Sequence, residues 1–222
     1  MSFEGFPEPA LIFYEGLVAD NTKAYWSDHR SVYDSCVRAP FEALLRELEP
    51  EFGAAKLFRP YRDVRFSKDK SPYKQQAAAA VHDDRSGSAA RYLALSADGL
   101  FVAGGYYQTS SDQVARLRAA VDDGRSGAAL VRVLAALTAG GWELGEPELK
   151  TVPPAFRPDG GAEHPRAALL RRKTLTAGRS YEPEPWLHTA EVLDHVRQDW
   201  RALDPLAAWL ERHVGAAREV RQ

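Results

Sequence analysis

The chain has 222 residues, of which 45% are hydrophobic and 27% are charged, and 29 basic and 31 acidic side chains give a formal net charge of -2. This composition excludes an extended disordered chain, because apolar residues are ample and charges of both signs are mixed. A chain of this length can bury about 70% of its unfolded surface, so it needs no disulfide or structural metal to fold. The acidic balance also argues against nucleic acid as a partner.

The sequence predicts neither a membrane span nor a signal peptide. No run approaches 18 consecutive apolar residues, so we expect no membrane span and no membrane partner. The opening MSFEGFPEPA has acids and prolines where a signal peptide has a basic segment and an apolar core. The single cysteine, Cys36, cannot form an internal disulfide, and we expect it to be buried and the protein to be cytoplasmic.

The first part of the chain, residues 8–52, is predicted to be helical. An apolar stretch follows Pro9, and a second set of apolar side chains then recurs at helical spacing. Pro40 is expected to kink or split the second helix, and Gly53 is expected to end it. The recurring apolar residues are Trp26, Tyr33, Val37, Phe41, Leu44 and Leu48.

Residues 75–142 are predicted to hold a sheet and helices. The segments RYLALS and LFVAGGYYQ flank ADG, which predicts a hairpin turning at Asp98-Gly99. The double glycine in the second segment, Gly104-Gly105, predicts a bulge or a close backbone approach. Ser110 with Gln113 three residues later is a capping-box pattern that predicts a helix start.

The last part of the chain is predicted to be loop-rich over 145–168 and to form a strand and helices over 169–216. The segment LLRRKTL is interpreted as the strand, and Asp204 before a proline as the N-cap of the last helix. We expect one domain over residues 1–222. Helices at both ends of a run of hairpin-like strands predict an α+β fold with a mainly antiparallel sheet in the middle.

Residues 56–74, KLFRPYRDVRFSKDKSPYK, concentrate positive charge. Seven bases minus two acids give a local charge of +5, in a chain that is acidic overall. The first half is predicted to be a strand that places Asp63 and Arg65 on one face, where they can pair. Ser67 to Pro72 is predicted to be a turn. The bases are Lys56, Arg59, Arg62, Arg65, Lys68, Lys70 and Lys74, and the acids are Asp63 and Asp69.

Unpaired bases in this segment predict an anion-binding site at residues 62–74. Arginine suits bidentate binding of phosphate or carboxylate, and lysine supplies a mobile charge. Nearby cations favour the carboxylate form of Asp63, which suits a general base, and Tyr73 is the candidate proton donor. An enzyme acting on a small anionic metabolite is therefore one interpretation, and no cofactor is expected. The predicted anion-binding residues are Arg62, Arg65, Lys68, Lys70 and Lys74.

Two other interpretations stay open. The bases can instead form an internal salt-bridge latch, with a structural or protein-interaction role, if acids such as Glu47 or Glu51 pair with them. Aromatic residues interleaved with bases are also compatible with stacking on single-stranded nucleic acid, although the acidic net charge argues against it.

A histidine pattern near the C-terminus bears on metal binding. On a helix, His188, Glu191 and His195 fall at i, i+3 and i+7, which can present two imidazoles and a carboxylate together. The same row lies beside an apolar stripe, where solvated polar residues belong. The sequence leaves the choice open, and no metal site is assigned.

The segment RDVRFSKDKSPYK resembles the signature of the uncharacterised bacterial family known as domain of unknown function 2461. Leu48 to Lys74 match that family without a gap, and the resemblance extends over nearly the whole chain. It implies a bacterial protein but carries over no activity, because the family has none established. The flanking matches are Asn21, Trp26, Gly105-Tyr106, His164-Pro165 and Leu169-Leu170.

Overall fold

The structure, a computed structural model, describes residues 2–81, 89–158 and 162–218. It has an α+β fold with helices towards both ends and a six-stranded antiparallel sheet from the middle of the chain, which confirms the predicted fold class. The strand order is β1-β2-β3-β4-β6-β5. The strands are β1 Ala55–Leu57, β2 Gln76–Val81, β3 Ala90–Ser96, β4 Gly99–Tyr106, β5 Glu143–Leu144 and β6 Leu175–Tyr181.

Helices before, between and after these strands complete the fold. The α-helices are α1 Pro9–Ala19, α2 Lys23–Asp28, α3 Arg30–Val32, α4 Ala39–Phe52, α5 Ser111–Asp122, α6 Gly124–Ala139, α7 Ala167–Leu170, α8 Glu191–Ala202 and α9 Asp204–His213. A π-helix, Tyr33–Arg38, joins α3 to α4, and 3-10 turns lie at Pro154–Phe156 and Pro185–His188. None of the helices in the described part of the chain is long and apolar enough to cross a bilayer.

The residues group into two compact units. The first comprises Met1–His82, Tyr92–Val102 and Ser180–Asp199, and the second comprises Asp83–Arg91, Ala103–Arg179 and Trp200–Gln222. Folding of the whole chain as one domain stays a prediction.

The N-terminal helices of the first unit follow the predicted pattern. All six apolar residues of the predicted stripe are buried, from Trp26 to Leu48. Pro40 cannot donate a backbone hydrogen bond, and directly before it the helix widens into the π turn, in which the Ala39 amide donates to the Asp34 carbonyl. Gly53 ends α4 with φ at 90°, as expected. Cys36 lies on the π-helix and is half-buried rather than buried.

The predicted hairpin is confirmed by β3 and β4, but its turn lies at Ala97 and Asp98, one residue before the predicted Asp98-Gly99, and Gly99 is the first residue of β4. In the second unit, Ser110 and Gln113 form the predicted capping box at the start of α5. Gly105 makes the predicted close backbone approach. Its φ is 124°, and a Cβ there would lie 2.2 Å from the Leu175 carbonyl oxygen.

Two predictions for the C-terminal part were wrong. The segment LLRRKTL is mostly not a strand, because the Leu170 and Arg171 amides close a helical turn and β6 begins only at Leu175. An apolar pair among bases does not distinguish a short helix from a strand. Asp204 is the first residue of α9 rather than its N-cap, and its carboxylate pairs with Arg91.

Substituting Gly105→Ala should destabilise the fold by roughly 2 kcal/mol or more, because the new Cβ would collide with a backbone oxygen at a backbone angle that L-residues avoid. Gly124→Ala is the matched control, since nothing lies within 4 Å of its Cβ position in the first turn of α6. Urea denaturation of both variants measures the difference. Equal stabilities would contradict this account of Gly105.

Candidate functional site

The basic segment is a closed loop rather than a strand. β1 ends at Leu57, and the Phe58 amide still donates to the Ala78 carbonyl (2.8 Å) before the chain leaves the sheet. The strand predicted for the first half of the segment is confirmed only at Lys56 and Leu57, in β1, and is wrong beyond them, because Pro60 cannot donate to a strand ladder. We call residues 59–74 the basic loop.

Backbone contacts close the basic loop at its base. Tyr61 and Tyr73 form an isolated antiparallel bridge. The Arg62 amide donates to the Pro72 carbonyl (2.9 Å), and the Lys74 amide donates to the Pro60 carbonyl (2.8 Å). Compact surface loops with adjoining ends often carry function.

A cluster that we call the aromatic clamp, Asn21, Trp26 and Tyr73, fixes the loop base to the residues around α2. The Asn21 side chain donates to the Tyr73 carbonyl (3.0 Å) and accepts from the Tyr73 amide (3.1 Å). The Tyr73 ring stacks on Trp26 with 4.3 Å between centroids and 7° between planes. Both rings are nearly fully buried, at 5% and 4% exposure. The clamp was missed from the sequence, where only the family resemblance pointed to Asn21 and Trp26.

Both arginines of the predicted site already have an acidic partner within the loop. Arg65 contacts Asp63 through Nη2 (2.7 Å) and Nε (3.0 Å), which confirms the predicted pairing although the backbone there is irregular. Arg62 pairs with Asp69, and Asp69 also accepts from the Ser71 amide (2.9 Å) and hydroxyl (2.6 Å). The loop's two acids therefore pair with two of its three arginines, Arg62 and Arg65.

These contacts favour the ionised carboxylates. The hydrogen bonds that Ser71 donates hold the pKa of Asp69 well below its ordinary value, and the hydrogen bond from Arg62 acts in the same direction with a smaller effect. Hydrogen bonds from Arg65 lower the pKa of Asp63 in the same direction. Both groups are exposed and ionised at neutral pH.

The lysines of the predicted site, together with Arg59, are not paired with acids. Lys68 is exposed, and Lys70 donates to the Val64 carbonyl (3.0 Å). Lys74 is half-buried, with Nζ 5.3 Å from the Phe58 ring centroid. Burial lowers the pKa of Lys74 most, and the charge of Arg59 lowers it further. Across residues 2–81, 89–158 and 162–218, no carboxylate lies within ion-pair distance of these four cations. Arg59 was not among the predicted site residues.

The two candidate catalytic residues, Asp63 and Tyr73, differ in exposure to solvent. Asp63 is exposed and bound by Arg65. Tyr73 is enclosed in the aromatic clamp, where burial raises the pKa of its hydroxyl. The general-base and proton-donor roles stay predictions.

His188, Glu191 and His195 do not lie together on one helix, as the histidine pattern had suggested. His188 lies in the 3-10 turn before α8, and its Nδ1 is 2.7 Å from the Phe6 carbonyl oxygen. The His195 ring stacks on Trp186 at 4.0 Å. Within the described parts of the chain, no group of three or more His, Cys, Asp or Glu side chains is placed to hold a metal ion.

Two cavities are lined by residues outside the basic loop. One, of about 400 Å³, lies between α1 and the helices that follow it, and includes Ile12, Tyr25 and His29. The other, of about 640 Å³, includes Phe3 and Ser35. Neither cavity brings the predicted anion-binding residues together.

We expect Asn21→Ala to lower the free energy of unfolding by roughly 1–3 kcal/mol, because it leaves the amide and carbonyl of Tyr73 without their partners. The control is Gln75→Ala, at an exposed position beside the loop base. Chemical denaturation, with hydrogen exchange at the Tyr73 amide, measures the effect. If Asn21→Ala matches the control in both readouts, the clamp does not hold the loop.

Carboxyl-detected NMR titration should place the pKa of Asp69 below the ordinary value of about 3.9, and Arg62→Gln should raise it. Because the folded-state pKa is depressed, the stabilisation from this pair is present above the unfolded pKa and is lost as pH falls through the folded value. Arg65→Gln is the reciprocal control: it should raise the pKa of Asp63 and leave that of Asp69 in place. An Asp69 titration unaffected by Arg62→Gln would contradict the pairing.

Comparison with known proteins supports the resemblance noted from the loop sequence. A family model described as "Conserved hypothetical protein (DUF2461)" matches residues 9–209, which is most of the chain. Searches of curated proteins and of solved structures found no match. The chain belongs to the DUF2461 family of conserved hypothetical proteins.

Proposed function

We propose that the basic loop binds a small anionic ligand bearing phosphate or carboxylate, with Lys74 and Arg59 as the central cations. The observation that carries the proposal is that the backbone brings these two cations side by side: the Lys74 amide donates to the carbonyl of Pro60 (2.8 Å), the residue after Arg59, and no described carboxylate lies within ion-pair distance of either cation. Burial lowers the pKa of Lys74, and the charge of Arg59 lowers it further. Holding like charges together costs free energy when no acid lies between them. An anion bound by both would offset this cost.

The exposed lysines extend the same positive surface. Lys68 has no ion-pair partner in the described part of the chain, and Lys70 contacts only a carbonyl oxygen. Their long side chains can move towards an anion, since the lysine ammonium is a mobile point charge.

Arg65 can contact a ligand while it stays paired with Asp63. The Arg65–Asp63 pair is largely exposed, and exposed ion pairs contribute only about 0–1 kcal/mol. Asp63 uses Nε and Nη2 of Arg65, whereas a guanidinium has five N–H donors in all. A ligand oxygen can therefore share the guanidinium with Asp63.

An internal latch is the second candidate function. The observation that favours it is the Arg62–Asp69 pair, reinforced by Ser71, which ties together residues seven apart in the loop. Both functions are compatible with one geometry, in which Arg62 and Arg65 hold the loop while Arg59 and the lysines bind the ligand.

Calorimetric titration with inorganic phosphate, citrate and phosphorylated metabolites tests the proposal. For a bound anion, Lys74→Gln should raise Kd by about tenfold or more, since charge-assisted hydrogen bonds contribute about 1.5–3 kcal/mol. Lys68→Gln should raise Kd by less, because this side chain is exposed and mobile. Lys23→Gln, at an exposed lysine on α2 outside the loop, is the control and should leave Kd unchanged.

The latch predicts a different pattern. Arg62→Gln should then lower the melting temperature, while no anion in the panel binds the wild-type protein. That result, or equal Kd values for Lys74→Gln and the Lys23→Gln control, would overturn the proposed ligand site.

A further inference from the structure

The tip of the basic loop exposes an aromatic ring among cations. The Phe66 side chain is 96% exposed, the highest value among the large hydrophobic residues described. Arg65, whose side chain is 77% exposed, has its guanidinium 6.0 Å from the Phe66 ring centroid. Lys68 and Lys70 follow, and both are exposed. An apolar ring and several positive charges are thus presented together to solvent.

We propose that this tip docks on the surface of a lipid bilayer that carries anionic headgroups. Phe66 enters the interfacial region, and Arg65, Lys68 and Lys70 contact headgroup phosphates. The inference rests on the proposed function and names the source of the anion that the basic loop binds.

The combination of one ring with several cations favours a bilayer. Aromatic side chains partition to the membrane interface, and basic residues near an anionic leaflet add their attractions without a preformed pocket. One apolar anchor gives only marginal binding alone, so stable attachment needs a second, electrostatic contribution. The loop tip supplies both.

Other partners fit the exposed residues less well. A standard protein interface buries about 800 Å² on each side, whereas the basic loop exposes only Phe66 and part of Tyr61 as large hydrophobic surface. A platform for stacking successive nucleic-acid bases needs several exposed rings held in fixed positions. Of the three rings that pack together at the loop base, Trp26 and Tyr73 are buried and Tyr61 alone is exposed, at 47%.

The aromatic clamp suits this role because it fixes the base of the loop while leaving the tip free of packing. The expectation of no membrane partner rested on the lack of a long apolar run in the sequence. Binding at a bilayer surface needs no membrane-spanning helix, so that expectation does not apply to the loop tip.

Sedimentation with vesicles of phosphatidylcholine, with and without phosphatidylserine, tests the inference. Wild-type protein should bind only the vesicles that contain phosphatidylserine, and less as salt rises. Phe66→Ser should lower the partition coefficient about tenfold. Lys68→Gln and Lys70→Gln should each lower it about fivefold. The control is Tyr107→Ser, which removes a ring that is 76% exposed outside the loop and should leave partitioning unchanged.

The outcomes separate this inference from the proposed function. Phosphate binding in calorimetry without vesicle binding would overturn the bilayer inference and leave the ligand site standing. Vesicle binding unaffected by Phe66→Ser would overturn the role of the ring. Binding of a single-stranded oligonucleotide that depends on Phe66, without vesicle binding, would replace the bilayer with nucleic acid. If neither phosphate nor vesicles bind, both proposals fail.

Discussion

The stacking of Tyr73 on Trp26, with Asn21 bonded to both backbone groups of Tyr73, is the constraint on which the basic loop depends. The bridge between Tyr61 and Tyr73 is an isolated pair outside the sheet, so no neighbouring strand holds it in place. Two buried rings and two hydrogen bonds instead anchor the loop base to residues around α2. The charged part of the loop can therefore remain exposed without its ends separating.

The charges of the loop divide into two groups. Asp63 pairs with Arg65 and Asp69 pairs with Arg62, and these ion pairs fix the fold of the loop. Arg59 and the lysines contribute the positive charge that remains. The net charge of +5 over residues 56–74 is consequently carried by side chains that no described acid pairs with, and this excess underlies both the ligand proposal and the membrane inference.

Local patterns predicted much of the fold, whereas long-range contacts could not be derived from them. The hairpin turn before Gly99, the capping box at Ser110 and the helical stripe were predictable, because each depends on residues close in sequence. The strand prediction after Leu57 failed because alternation was given more weight than Pro60, which cannot donate to a ladder. The aromatic clamp joins residues about fifty positions apart, so periodicity carries no signal for it. The ion pair of Arg65 with Asp63 was predictable from their spacing, but that of Arg62 with Asp69 was not, since it depends on how the loop folds back.

The central claim is that the unpaired cations of a clamped loop bind an anion. Backbone amide NMR during titration with inorganic phosphate at low ionic strength tests it most directly, because it reports the position of binding as well as its strength. The account predicts saturable shift changes concentrated at residues 59–74 and strongest around Arg59 and Lys74, while the amides of α5 and α6 do not move. No saturable change in the loop, or changes centred on another part of the chain, would contradict it.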